Sequence, residues 1–284
     1  MKNETEIMDV FNLKTKTCGK CRVYPDNPGG PAPSVTSICG ALMKYGLIDW
    51  AANCAVDYID EAYSDEAYSI PGPIWEVIKK EARQAHNRIK EEAGDTGTNV
   101  HELCQMCLEH GVTVMTDNEN YGAADVITKK MVDNFAAWCG KEGIELIATE
   151  VKVHGDGYSG RCDLIAYRKG KLGLYDIKTT PAYYPEQGLQ LAAYAKAWDD
   201  KVRRNTIGPI EMGKTAMQES EFIEEIGIIR LDKKTGSCNF SESGRGPHFT
   251  EHRERLTKAF MLLKDFYWLY NNLEEQFKEL KGKH

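Results

Sequence analysis

Along the chain the spacing of apolar positions changes period twice. Up to residue 143 they recur at helical spacing in five segments broken by turn residues. "SVTSICGALMKYG" opens with Ser34 or Thr36 as its cap. "LIDWAANCAVDYIDEAY" is a second helix. "PIWEVIKKEARQAHNRIKEEAG" is a third, with Pro73 in its first turn and Gly94 after its end. "GTNVHELCQMCLEHG" and "AADVITKKMVDNFAAWCGKEG" are the fourth and fifth.

The period then shortens to two. "IELIATEVKV", "GRCDLIAYR" and "KLGLYDIKT" read as three consecutive antiparallel strands. "EQGLQLAAYAKAWDDKV" returns to helix, and "EIGIIRLDKKTGSCNFSE" reads as a further hairpin or edge pair. From Glu251 to Leu280, apolar residues at 256, 260, 263, 266, 269, 273 and 277 mark a long amphipathic helix. Residues 1–33 are polar and turn-rich, an extended arm or short hairpin. The expected architecture is α/β: a central mixed or antiparallel sheet flanked by helices, after a helical N-terminal half. Residues 34–284 form one domain, with a helical part over 34–143, a core over 144–200, and an edge hairpin and last helix over 201–284.

The hairpin turn "RKGK" sets a register. With Lys169-Gly170 as its two loop residues, paired positions sum to 339, and Asp163 falls opposite Asp176. Carboxylates facing each other across a strand pair repel. Lys178, two residues beyond Asp176, shares its face and can neutralise one charge only. Either a divalent cation is shared between oxygen ligands, or the strand end is a solvated ion pair. Glu150, on the preceding strand, can bring a third acid to the same face. Gln190 and Tyr194, at i and i+4, share one face of the following helix. His101 stands on a helix after "GTNV".

Composition narrows this picture. At 284 residues, 42% hydrophobic and 28% charged, the chain has ordinary globular proportions. Its net charge of −7 argues against a general basic coat for nucleic acid and suits carboxylates gathered round a cation. No apolar run is long enough for a membrane helix, and the N-terminus has no signal-peptide character. Nine cysteines, an odd number, point to a reducing, intracellular compartment. "CGKC" (Cys18, Cys21) and "CQMC" (Cys104, Cys107) are candidate halves of a zinc or iron–sulfur site. "GPIEMGKT", 208–215, has the spacing of a phosphate loop, but polar, helix-ending residues precede it, Pro209 removes an amide donor and Glu211 adds negative charge.

Taken together, His101, Glu150, Gly160-Arg161-Cys162-Asp163, Asp176-Ile177-Lys178 and Gln190-Leu-Ala-Ala-Tyr194 resemble the PD-(D/E)xK nuclease superfamily. They are most similar to its RecB-like exonuclease branch, and "PSVTSI" with "GTNVHE" resembles the phage-type and mitochondrial genome-maintenance exonucleases within it. The resemblance spans about residues 31 to 200. It implies a restriction-endonuclease-like core and a Mg²⁺- or Mn²⁺-dependent DNA exonuclease acting on single strands or ends in recombination, repair or replication. It implies metal ligation by His101, Asp163, Asp176 and the Ile177 carbonyl. Lys178 would orient or help deprotonate the attacking water, and Glu150 would support the metal's water shell. Gln190, Tyr194, Arg161, Lys152, Lys79 and Arg83 would contact nucleic acid; Lys79, Arg83, His86 and Lys90 form one stripe at helical spacing. It further implies a cytoplasmic, bacterial or phage-encoded protein working with a helicase, recombinase or single-strand-binding partner. A non-catalytic nucleic-acid-binding relative and a phosphate-loop NTPase are the alternatives.

Overall fold

In the computed structural model, residues 22–42, 46–63, 72–111, 118–204 and 222–281 are described. The order begins with β1 (Val23–Tyr24), β2 (Ala32–Pro33), α1 (Val35–Cys39), α2 (Gly46–Tyr63), α3 (Gly72–Ala82), α4 (Ala85–His110), α5 (Glu119–Ala123) and α6 (Val126–Glu142). It continues with β3 (Ile144–Gly155), β4 (Tyr158–Arg168), β5 (Lys171–Lys178), α7 (Pro185–Arg203), β6 (Glu225–Leu231), β7 (Cys238–Phe240) and α8 (Arg253–Lys281).

β3 to β7 form one five-stranded sheet in sequence order. Its ladders are antiparallel except for the parallel β5–β6 pair, which α7 connects. Helices cover both faces. On one, α4 and α6 contribute Val100, Leu103, Met131 and Phe135 to a cluster with Leu164, Tyr175 and Ile229. On the other, α1, α7 and α8 pack Ile38, Trp198 and Phe260 against Tyr158, Leu174 and Ile228. Ala192, Ala193, Ala195 and Ala197 of α7 are all buried, and their small side chains let the helix lie close to the strands.

The register follows the turn. Arg168 pairs with Lys171 and Leu164 with Tyr175, each summing to 339. Lys169 and Gly170 have φ of 52° and 77°, the left-handed pair that a two-residue hairpin with matching twist requires. At its N-terminus α6 is capped by Asp125, whose carboxylate accepts from the Ile127 and Thr128 amides at 2.8 and 2.9 Å.

The helix boundaries expected around Gly94 are corrected. The chain breaks after Ala82, and one helix then runs from Ala85 to His110 straight through Gly94 and Gly97. Arg88 spans the break, donating to the Glu81 carboxylate at 2.6 Å and to its carbonyl at 3.2 Å. Lys79, Arg83, His86 and Lys90 therefore do not form a stripe on one helix. The fifth expected helix is α6, which starts three residues later than expected because Asp125 caps it, and the short α5 before it was not expected. Of the N-terminal segment, residues 22–33 are described and form the β1–β2 hairpin.

Candidate active site

The site lies where β4 and β5 splay apart. The ladder between them ends at Leu164–Tyr175, while β5 stays paired with β6 through Asp176, Ile177 and Lys178. The expected pairing of Asp163 with Asp176 is therefore not part of the ladder, and Asp163 is the first residue past the fork. Its Oδ2 accepts from the Ile177 amide at 2.7 Å, so a side chain takes the donor that the ladder leaves free. The pleat slips at the same point: Cys162 and Ile165 face α7, whereas Leu164 and Ala166 face α6. On β3, the Glu150 pairing is also missing between Thr149–Leu164 and Val151–Cys162, and Glu150 has φ of 51°. A left-handed non-glycine residue inside a strand is strained, and such strain gathers at functional sites.

Glu150, Asp163, Asp176, Lys178, Gln190 and Tyr194 line one cavity of about 210 Å³. Asp176 is buried, 1% exposed. The Lys178 ammonium touches its Oδ2 as an ion pair, but without hydrogen-bond geometry, and Oδ2 has no hydrogen-bond partner among the described residues. Burial, reinforced by Asp176, holds the Asp163 pKa well above the usual carboxylate range. Burial opposes the charge on Lys178, but Asp176 and Asp163 outweigh it and raise the lysine's pKa. On α4, His101 places Nδ1 3.4 Å from Asp163 Oδ2; burial, then Lys178, lowers its pKa. Tyr194 is pushed well above the ordinary tyrosine value by burial and then by Asp176, and its hydroxyl accepts from Gln190 Nε2 at 2.8 Å.

Gly160 makes room for that tyrosine. A Cβ there would stand 2.2 Å from Tyr194 Cε1. Arg161 also lines the cavity, and its guanidinium meets Glu150 Oε2 at 3.2 Å. Lys152 lies outside the lining and pairs with Asp26 at 3.0 Å. Lys79 pairs with Glu76 at 2.5 Å, Arg83 stands in the turn between α3 and α4, and neither reaches the cavity.

Sequence reasoning missed the N-terminal part of the lining. Arg22, Tyr24, Ser34 and Thr36 line the same cavity. The signal was available in Asn27, a turn residue with a polar side chain. Its buried amide reaches the Gly155 and Tyr158 carbonyls and Ser159 Oγ at 3.0, 2.9 and 2.8 Å, pinning the N-terminal hairpin to the β3–β4 turn. Cys104 and Cys107 are buried in the apolar core between α4 and α6, and burial raises their thiol pKa values. Cys18, Cys21 and 208–215 lie outside the described residues. Among the described residues, no three or more His, Cys, Asp or Glu side chains stand in metal-holding geometry. What the site does offer a cation is two carboxylates on one cavity, the buried Asp176 paired with Lys178 and the partly buried Asp163, and an imidazole beside Asp163.

A mixed sheet between helices, with acids and a lysine at a strand fork, defines a restriction-endonuclease-like core. Comparison with family models identifies the family: residues 80–263 match the PD-(D/E)XK nuclease superfamily, and the chain belongs to it. Among solved structures, one titled "Crystal structure of SSO0001" is similar at 15% identity and a TM-score of 0.23, over 58% of this chain and 74% of that one. Comparison with curated proteins gave no match. Among the described residues, no helix is long and apolar enough to cross a membrane.

Proposed function

We propose that the chain is a divalent-metal-dependent deoxyribonuclease of the RecB-like branch, an exonuclease acting on single strands or DNA ends. The observation that supports this most is the convergence of Glu150, Asp163, Asp176 and Lys178, from three strands, on one cavity. The two aspartates, His101 and the Ile177 carbonyl would hold Mg²⁺ or Mn²⁺. Asp163 and Asp176 suit a hard cation because they are oxygen ligands whose mutual repulsion a divalent charge removes. When bound, the cation stabilises the negative charge that builds on the phosphodiester during hydrolysis.

The remaining roles fall to the chain itself. Lys178 projects from the Asp176 face and would orient the attacking water or help deprotonate it. That water's oxygen bonds to phosphorus, the P–O ester bond breaks, and a proton passes to the leaving oxygen. Glu150, now held by Arg161, would support the water shell. Gln190 and Tyr194 would position the lysine strand and the DNA backbone. The assay is digestion of end-labelled linear and circular single- and double-stranded DNA in Mg²⁺, with EDTA as the blank. The proposal expects stepwise release from linear DNA ends, intact circles, and no cutting by Asp176→Ala or Lys178→Ala. Cut circles overturn the exonuclease assignment. Wild-type binding with no cutting in Mg²⁺ or Mn²⁺ overturns the nuclease assignment in favour of a non-catalytic relative.

A further inference from the structure

We propose that the N-terminal hairpin carries a second phosphate subsite, in which Arg22, with the Thr36 hydroxyl, holds a backbone phosphate next to the scissile one. This rests on the nuclease reading of the cavity and adds a binding residue to it.

Three cations line the cavity: Arg22, Arg161 and Lys178. Lys178 is committed to Asp176, and Arg161 to Glu150. Arg22 is exposed and has no acidic partner among the described residues. It is therefore the guanidinium that can meet a phosphate without first giving up a carboxylate. A polyanion entering a cavity lined by three carboxylates is favoured by such an uncommitted positive charge in the same lining. Thr36 also lines the cavity and is exposed, and its hydroxyl can donate to the same phosphate.

The backbone under Arg22 is fixed at the rim of the cavity. The Ser34 amide donates to the Arg22 carbonyl at 2.9 Å, closing the hairpin at the arginine itself. Ser34 is bridged in parallel to Ser159 of β4. Asn27 ties the turn of the hairpin to Gly155, Tyr158 and Ser159. The backbone that carries Arg22 is thus held by the same strand that carries Asp163.

The test is single-stranded oligonucleotide binding by fluorescence anisotropy in EDTA across a salt series, followed by steady-state cleavage in Mg²⁺. Wild type, Arg22→Gln, Arg22→Lys and Thr36→Val are compared, with equal thermal midpoints confirming that each variant folds. Arg22→Gln should weaken binding about tenfold, the scale of one hydrogen bond to a charged group. It should also flatten the slope of log affinity against log salt by about 0.7, the value of one phosphate contact on a single strand. Arg22→Lys should retain the slope while losing part of the affinity, and Thr36→Val should weaken binding with the slope unchanged. In cleavage, the Arg22→Gln loss should fall more on KM than on kcat. An unchanged salt slope in Arg22→Gln overturns the subsite. If wild type binds but never cuts, the nuclease reading fails, and the slope still decides the subsite.

Discussion

Gly160→Ala tests how the glycine of the β4 motif serves the site. The added Cβ would lie 2.2 Å from Tyr194 Cε1 and about 3 Å from two further ring atoms, where ordinary contacts begin near 3.4 Å. The ring is 2% exposed on α7, so it cannot swing into solvent without moving the helix. Overpacking of this kind costs about 1–3 kcal/mol, and breaking the Gln190–Tyr194 hydrogen bond adds about 1 kcal/mol. A loss of roughly 2–4 kcal/mol corresponds to a fall in Tm of about 4–16 °C for a chain of this size. Circular-dichroism melts would measure it in a double-mutant cycle with Tyr194→Ala. With the ring gone, the methyl has space, so Gly160→Ala should cost under about 1 kcal/mol in that background. An equal cost in both backgrounds would show that Tyr194 is not why glycine stands there, and the reasoning would fail.

Three other expectations follow from the same geometry. Glu150→Gly relieves a φ of 51° and should therefore cost less stability than Thr149→Gly on the same strand, while abolishing DNA digestion; an equal loss of Tm would argue against strain at Glu150. Asn27→Ala leaves the Gly155 and Tyr158 carbonyls short of a donor and should cost about 1–3 kcal/mol by denaturant melt; an unchanged midpoint would mean the hairpin is not held there. Burial lowers the His154 pKa, with Lys201 and Lys152 adding to it and Asp26 opposing. A histidine disfavoured as a cation when folded keeps full stability above its unfolded pKa of about 6.5 and loses it as pH falls through the folded value. The drop in Tm between pH 7.5 and 5 should therefore shrink in His154→Gln, and an identical drop would assign the effect to other groups.

How far the sequence could be read depended on whether the deciding contact was local. The β4–β5 register was legible because two loop residues determine it, and their left-handed φ values agree with that reading. The three strands and the shared face of Asp176 and Lys178 came from period-two spacing, which tertiary packing does not alter. Gly94 misled because glycine within a helix costs only about 1 kcal/mol. The buried stripe of Val100, Leu103, Cys104 and Cys107 anchors the helix downstream of it, and no Cβ contact at Gly94 marks the position. The break at Arg83-Gln84 has neither glycine nor proline to announce it. The left-handed Glu150 and the slip at Asp163 follow from strands parting, which depends on partners far along the chain. Arg22 and Thr36 were not placed at the site for the same reason: what brings their hairpin to the cavity is Asn27, bonded across 128 to 132 residues.

The central claim is that Asp163 and Asp176 share a divalent cation. Isothermal titration of Mn²⁺ into the DNA-free protein measures it directly, in wild type, Asp163→Asn and Asp176→Asn, with Lys258→Ala as a surface control. The account predicts saturable binding in wild type and in the control, weakened by tenfold or more in each aspartate variant. Equal Mn²⁺ affinity in wild type and both aspartate variants would contradict it.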